Sequence, residues 1–196
     1  MNAPKQLAVL ASGNGSNLEA ILADALPVAL VITDRACNAA VIAGANHIPL
    51  TCIDREAFGY RPGGEWNREA FTDAVTRELT SYHIDLAAMA GFMTVLSPGI
   101  FKVYSHRVLN THPSLLPAFP GDHAVRDALA AGVAVTGCTV HIATAELDRG
   151  PIIASAQVSV RAGDTQATLH ERIKTAERQL YPQTIRKYLD QITAGE

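Results

Sequence analysis

Seven short apolar runs, each typical of a β-strand, recur along the 196-residue chain. They are Leu7–Ala11, Val28–Thr33, Ile48–Ile53, Ile84–Ala90, Arg107–Asn110, Val135–Ile142 and Ile152–Val160. Helical patterns lie between the early runs, for example at Cys37–Ala45 and Glu65–Tyr82. Apolar strands that alternate with helices are typical of a parallel sheet covered on both faces. The pattern therefore predicts an α/β, Rossmann-like fold: a mostly parallel, twisted sheet of about seven strands with helices on both faces.

The C-terminal part of the chain departs from this alternation. No helical pattern separates Val135–Ile142 from Ile152–Val160, so we expect these two strands to form an antiparallel edge of the sheet. After them, one helical stripe carries Leu169, Ile173, Ala176 and Leu180. Pro182 is expected to kink or split this helix.

Size, composition and charge exclude several classes of protein. A length of 196 residues suits a single domain, and 48% hydrophobic with 18% charged residues is typical of a globular protein. A net charge of −3 argues against a nucleic-acid-binding surface. No run is long enough to span a bilayer and no signal-peptide core is present, so we expect a cytoplasmic protein without membrane contact. The three scattered cysteines form no CxxC or zinc motif, and we expect buried free thiols and no metal.

A glycine turn follows the first predicted strand. In ASGNGSNLEAI, Gly13–Asn17 separate that strand from a helix, and Ser16 and Glu19 have the spacing of a capping box. Backbone N–H groups at a helix N-terminus attract anions, so the turn favours a bound phosphate. A dinucleotide site is an alternative, since Asp34 ends the second strand as such sites require, but Leu18 stands where they need a third glycine. A turn without a ligand is the other alternative.

A second motif, LNTHPSLLPAFPG, suggests chemistry. Asn110 and His112 are two residues apart on an extended segment and share one face, and Pro113 keeps His112 out of a helical conformation. A histidine titrates near neutral pH and an amide can donate to an oxyanion, so the pair suits acyl-type transfer. The alternative is a polar pair that only closes a strand.

A third motif, HIATAELDRGPII, carries Glu146 and Asp148 on a predicted loop. Such carboxylates are usually solvated. Acyl transfer also needs a group that keeps a histidine protonated, and Asp148 is a candidate partner of His112.

Together with AGFMTVLSP, these motifs resemble the phosphoribosylglycinamide formyltransferases, folate-dependent enzymes of purine synthesis. The resemblance extends from Leu7 to the C-terminal helix. It implies one formyltransferase domain over residues 1–196, with a phosphoribosyl-binding N-terminal half and a folate-binding, catalytic C-terminal half. It also implies transfer of the formyl group of 10-formyltetrahydrofolate, without a metal, to the amine of 5′-phosphoribosylglycinamide.

The resemblance assigns roles to individual residues, and the catalytic group it implies is Asn110, His112 and Asp148. The residues implied for the phosphoribosylglycinamide are Gly15, Ser16, Asn17, Lys174, Thr175, Ala176 and Glu177. Those implied for the folate are Arg68, Met93, Thr94, Val95, Leu96, Asn110, Thr144, Ala145, Glu146 and Leu147. Thr94 and Arg149 depart from the family, in which a basic residue and a glycine are common at these positions. We expect small-molecule substrates, no nucleic-acid partner, and a monomer or homodimer.

Overall fold

The computed structural model of the protein describes residues 4–192. Seven strands form a single sheet: β1 (Leu7–Ala11), β2 (Val28–Thr33), β3 (Leu50–Cys52), β4 (Leu86–Met89), β5 (Val108–His112), β6 (Val135–Ile142) and β7 (Ile152–Ser159). Their order across the sheet is β3-β2-β1-β4-β5-β6-β7. The pairs from β3 to β5 are parallel, and β5–β6 and β6–β7 are antiparallel. The predicted parallel sheet with an antiparallel edge is confirmed.

Within the described residues, six α-helices cover the sheet: α1 (Ser16–Ala23), α2 (Asn38–Ala45), α3 (Arg68–Ser81), α4 (Gly99–Val103), α5 (Ala124–Ala130) and α6 (Gln166–Gln191). A 3₁₀ turn spans Arg55–Phe58. Strand β1 is buried along its whole length, and its alternate residues enter two different cores. One core contains Leu18 of α1 and Tyr181 of α6, and the other contains Phe71 of α3 and Ile100 of α4. The helices therefore lie on both faces of the sheet, as predicted.

One prediction about helices is wrong, and one of the two outcomes expected at Pro182 does not occur. Helix α1 begins at Ser16, and its N-cap is Gly15, in the left-handed conformation with no side-chain cap, so Ser16 and Glu19 do not form a capping box. Helix α6 is not split at Pro182, because the buried side chains of Tyr181 and Ile185 hold the helix against the sheet on both sides of the proline.

The prediction for the cysteines is correct only in part. All three thiols are free, but Cys138 alone is buried, Cys37 is half-buried and Cys52 is exposed. Cys52 is exposed because it lies on β3, the three-residue edge strand of the sheet. Among the described residues, every helix is too short or too polar to cross a lipid bilayer.

The strand order determines where a ligand can bind. From β1 the chain first builds outward to β2 and β3, and then returns to place β4 on the other side of β1. In open α/β sheets, the crevice at the carboxyl ends of strands flanking such a reversal is the usual ligand site. The glycine turn after β1 and the Asn110–His112 segment of β5 both lie at this end of the sheet.

Candidate active site

A cleft of about 380 Å³ opens at the carboxyl ends of β1, β4 and β5. It is bounded by the turn after β1, the segments after β4 and β5, the loop between β6 and β7, and one side of α6. Its lining comprises Gly13–Asn17, Met89–Val95, Asn110–Pro113, Gly121, Asp122, Leu147, Asp148, His170, Lys174 and Glu177. Residues as far apart in the chain as Gly13 and Glu177 therefore meet in one cavity.

The glycine turn is held by helix α2. The Gly13 carbonyl accepts the Ala39 N–H at 3.1 Å, and the Asn14 carbonyl accepts from Asn38 Nδ2 at 2.9 Å. Gly15 has a φ of 78°, and a Cβ there would lie 3.1 Å from Ala39 Cα, so glycine is needed at this position. The turn thus presents the start of α1 to the cleft, where the first N–H groups have no partners within the helix.

Asn110, His112 and Asp148 converge beside this turn. His112 and Asp148 have nearly buried side chains, and His112 Nδ1 lies 3.4 Å from Asp148 Oδ2. The other ring nitrogen of His112, Nε2, donates to the Phe119 carbonyl at 2.8 Å. Because a carbonyl oxygen only accepts, Nε2 carries a proton, and a second proton on Nδ1 would face the Asp148 carboxylate. The arrangement therefore suits a positively charged His112.

The surroundings of Asp148 favour its ionised form. Burial raises the pKa of this carboxyl, but the hydrogen bond from the Gly121 N–H at 2.8 Å and the charge of His112 oppose burial, and the pKa lies below its usual value. Asp148 also has a φ of 54°, a left-handed conformation that is uncommon outside glycine. The loop is thus shaped to bring a carboxylate against His112.

The far end of the cleft is formed by α6 and α1. Glu177 is buried and accepts from Thr111 Oγ1 at 3.4 Å, and burial raises the pKa of its carboxyl. Lys174 lies one turn earlier and donates to Glu171 at 2.7 Å. Asn17 Oδ1 is buried and has no hydrogen-bond partner among residues 4–192, so a ligand could donate to it. Thr175 and Ala176 are not part of the cleft lining.

The residues implied for the folate are divided between this cleft and its surroundings. Met93, Thr94 and Val95 line the cleft, and the side chain of Met93 is 60% exposed. An adjoining cavity of about 50 Å³ is lined by Leu96, Thr144, Ala145 and Leu147, and it shares Asn110 and Asp148 with the cleft. Arg68 is exposed at the start of α3, and neither Arg68 nor Glu146 lines these two cavities.

Three further residues belong to the site, and motif reading did not select them as site residues. His141 contacts Asn110 and Asp148, His170 lines the cleft one turn before Lys174, and the Gly121 N–H binds Asp148. His170 could have been predicted from its spacing to Lys174, since residues four apart lie on the same face of a helix. His141 could be found only from the pairing of β5 with β6, in which it lies opposite Asn110.

Other features of the molecule carry none of the implied chemistry. A groove of about 520 Å³ near His106 and Tyr188 contains no residue of the three motifs. Burial raises the pKa of the Cys138 thiol to about 12, which makes it a poor nucleophile. Within residues 4–192, no three His, Cys, Asp or Glu side chains gather closely enough to hold a metal ion.

Known proteins provide the deciding comparison. The family model for formyl transferases matches residues 5–185. The chain belongs to the formyl transferase family. It is 46% identical over 184 residues to the phosphoribosylglycinamide formyltransferase of Mycobacterium tuberculosis, covering 91% of this chain and 82% of that protein. It is 38% identical over 199 residues to the enzyme of the same name from Bacillus subtilis, covering 98% of each. The crystal structure of glycinamide ribonucleotide transformylase 1 from Symbiobacterium toebii superposes with a TM-score of 0.88 at 40% identity, covering 97% of this chain and 91% of that one.

The structure also argues against a dinucleotide site, because Asp34, the acidic residue that such a site would need, is engaged within the protein. The Asp34 side chain is fully buried, accepts a hydrogen bond from Thr94 Oγ1, and lies 3.5 Å from Arg55 Nη1 and 3.2 Å from Arg35 Nε. Because its oxygens are already engaged, Asp34 is not available to a ribose hydroxyl. Thr94, which lines the cleft, is thereby linked to the ion pairs of the buried Asp34.

Proposed function

We propose that the protein transfers the formyl group of 10-formyltetrahydrofolate to the amine of 5′-phosphoribosylglycinamide, within purine synthesis. The products would be 5′-phosphoribosyl-N-formylglycinamide and tetrahydrofolate. The observation that carries the proposal is the single cleft that joins the Gly13–Asn17 turn to Asn110, His112 and Asp148. Membership of the formyl transferase family supports the same reaction.

In the proposed binding mode, the 5′-phosphate lies on the backbone N–H groups of Gly15, Ser16 and Asn17. The helix dipole of α1 favours an anion there, and Lys174 on α6 adds a positive charge. Glu177 would hold the glycine amine or a ribose hydroxyl, since the buried carboxylate faces the same cleft. The phosphoribosyl end would therefore draw on both the first and the last helix of one domain spanning the chain.

In the proposed chemistry, the neutral amine attacks the formyl carbon and forms a new C–N bond, which creates a tetrahedral oxyanion. An N–H of Asn110 donates to this oxygen, and the positive charge of His112 stabilises it from nearby. Asp148 keeps His112 charged through the contact at 3.4 Å. The bond from carbon to the folate nitrogen then breaks, and that nitrogen receives the proton lost by the amine, relayed by His112 and Asp148.

The folate would bind along Met93–Leu96 and the Thr144–Leu147 loop, whose two cavities adjoin at Asn110 and Asp148. Arg68 would reach the folate from outside these cavities. We further propose that the enzyme acts on these small molecules in the cytoplasm, as a monomer or a homodimer.

The substitution Ser16→Asp tests the assignment of the phosphate site. A carboxylate at the start of α1 would repel the substrate phosphate, and we expect the KM for the ribonucleotide to rise at least about tenfold. The KM for the folate should change little. Initial rates measured at varied concentrations of each substrate give both values, and the dephosphorylated riboside should be a poor substrate of the native enzyme.

Ser105→Asp is the matched control, because it adds the same charge at an exposed serine in the other groove. It should leave both KM values unchanged. Equal turnover of riboside and ribonucleotide would contradict the phosphate site. Release of formate from the folate without any ribonucleotide would point to a hydrolase, and no turnover under either condition would contradict an enzymatic function.

A further inference from the structure

His141 lies between two members of the proposed catalytic group. It stands on β6 directly opposite Asn110 of β5, and its side chain is 2% exposed. Its Nε2 atom is 3.2 Å from Asn110 Nδ2 and 3.6 Å from Asp148 Oδ1. Its other ring nitrogen, Nδ1, is 3.0 Å from the carbonyl oxygen of Ile142.

These contacts determine where the ring of His141 holds its proton. The Ile142 carbonyl can only accept, so Nδ1 must carry the hydrogen. In a neutral imidazole, Nε2 then has a lone pair and accepts a hydrogen bond. The nearer polar atom is Asn110 Nδ2, and Asp148 Oδ1 lies outside ordinary hydrogen-bond distance. The neutral ring is thus placed to accept from Asn110.

The lone pair on His141 Nε2 in turn determines the direction of the Asn110 amide. With the amide reversed, Asn110 Oδ1 would face that lone pair, and two acceptors would repel one another. With the amide as observed, one hydrogen on Nδ2 binds His141, and the second is free to bind a ligand. The chain supplies no other hydrogen bond to the Asn110 side chain among the described residues.

We propose that neutral His141, protonated on Nδ1, is a positioning residue that orients the Asn110 amide so that an N–H faces the oxygen of the reacting formyl group. This assignment rests on the proposed function, in which Asn110 donates to the oxyanion. A His141 ring protonated on both nitrogens would instead donate to Asp148 and would favour the reversed amide. His141 itself touches neither substrate in this arrangement.

Kinetics of two variants test the proposal. His141→Phe keeps a flat ring but removes the acceptor, and we expect kcat to fall by about 10- to 100-fold, because a misdirected oxyanion donor loses much of its effect. The KM for the folate should stay within about twofold of the native value. His141→Gln can offer a carbonyl oxygen to Asn110 and should recover most of kcat. His123→Phe, at an exposed histidine outside the cleft lining with an ordinary φ of −109°, is the control and should behave as the native enzyme.

A double-mutant cycle separates positioning from general destabilisation. In an Asn110→Ala background, His141→Phe should cost little further kcat, because the amide that it orients is already absent. Independent, multiplicative losses would overturn the proposal. So would a native kcat in His141→Phe, or a His141→Gln variant as slow as His141→Phe.

A spectroscopic test does not depend on the reaction. Nitrogen-15 NMR of the imidazole rings of the native protein, with His141 assigned by its loss in His141→Gln, reports which nitrogen is protonated. We expect a hydrogen on Nδ1 and a hydrogen-bond acceptor at Nε2 near neutral pH. A ring protonated at Nε2 alone, or at both nitrogens, would overturn the proposal. If the tautomer is as expected but no formyl transfer occurs, the proposed function fails while the contact of His141 with Asn110 stands.

Discussion

Asp148 combines a buried carboxylate, a left-handed backbone conformation and contacts with two histidines. This combination allows its charge to be removed without disturbing its shape, because asparagine also tolerates the left-handed region. In Asp148→Asn, the Nδ1 atom of His112 would lose its anionic partner. We expect kcat to fall by about 100-fold or more, the scale of losing a positioned proton-transfer group, with an intact fold.

Steady-state rates and a circular dichroism spectrum of Asp148→Asn check this expectation. Asp122→Asn is a suitable control, because it removes a carboxylate from a neighbouring position in the cleft lining. Asp122 contacts the exposed His123 and forms no ion pair with His112 or His141, so a much smaller effect is expected. A folded Asp148→Asn enzyme with native kcat would remove Asp148 from the catalytic group.

At the residue scale, the sequence predicts those features of the site that depend on local backbone geometry. The common face of Asn110 and His112 follows from strand periodicity, and both residues line the cleft. The contact between Asp148 and His112 depends on how a loop after β6 folds back over β5, which no spacing along the chain specifies. The position of His141 depends on the register of β5 against β6, and it was missed for the same reason.

At the element scale, α6 connects the sheet to the end of the cleft that is proposed to hold the phosphoribosyl group. The Tyr181 hydroxyl on this helix lies 3.1 Å from the carbonyl oxygens of both Met89 and Leu109, near the ends of β4 and β5. Tyr181→Phe would leave these buried oxygens without that donor, and we expect a loss of about 1–3 kcal/mol in the free energy of unfolding. Without these hydrogen bonds α6 would be held less firmly against the sheet. Because Lys174 and Glu177 lie on α6, the KM for the ribonucleotide should also rise more than the KM for the folate.

Denaturant titration and substrate-dependent rates measure both effects. Tyr188→Phe is the matched control on the same helix. The Tyr188 hydroxyl donates at 2.7 Å to the carbonyl oxygen of the exposed His106, away from the cleft. The KM values of this variant should be native. If Tyr181→Phe and Tyr188→Phe behaved alike in both measurements, α6 would not be anchored through Tyr181.

Element boundaries show where local sequence signals compete with tertiary contacts. A side-chain cap at Ser16 was predicted, but close packing of Gly15 against α2 favours a left-handed N-cap at Gly15, so the helix starts one residue earlier than a Ser16 cap implies. Pro182 lacks an N–H, yet the helix continues because burial of Tyr181 and Ile185 stabilises both flanking turns. Such outcomes depend on neighbours that are distant in the chain.

At the scale of the whole molecule, the sheet was predictable because its early strands are nearly continuous apolar runs that alternate with helices. Strand β1 is buried on both faces, as expected for a central parallel strand covered by helices on each side. The site is harder to predict because it joins the first helix to the last. Glu177 shows the energetic consequence, since the fold buries a carboxylate in the lining of the cleft.

This burial predicts how stability depends on pH. Burial raises the pKa of Glu177 above its unfolded value, against the opposing effects of Asn17, Thr111 and nearby cations. Between the unfolded pKa, about 4.3, and the higher folded pKa, the folded state binds more protons, so this group lowers stability as pH rises. Glu177→Gln removes the ionisation and should raise Tm by a few degrees at pH 8, with the gain shrinking toward pH 4.

Thermal unfolding of the native protein and of Glu177→Gln across this pH range tests the sign. Glu171→Gln is the control on the same helix: the hydrogen bond from Lys174 holds the pKa of the exposed Glu171 below its usual value, so this variant should show no gain at pH 8. Glu177→Gln should also raise the KM for the ribonucleotide, because a neutral amide would replace the carboxylate that is proposed to hold the glycine amine or a ribose hydroxyl of the substrate. A Tm below the native value at pH 8 would mean that the Glu177 carboxylate stabilises the fold, and that the site imposes no cost on the molecule.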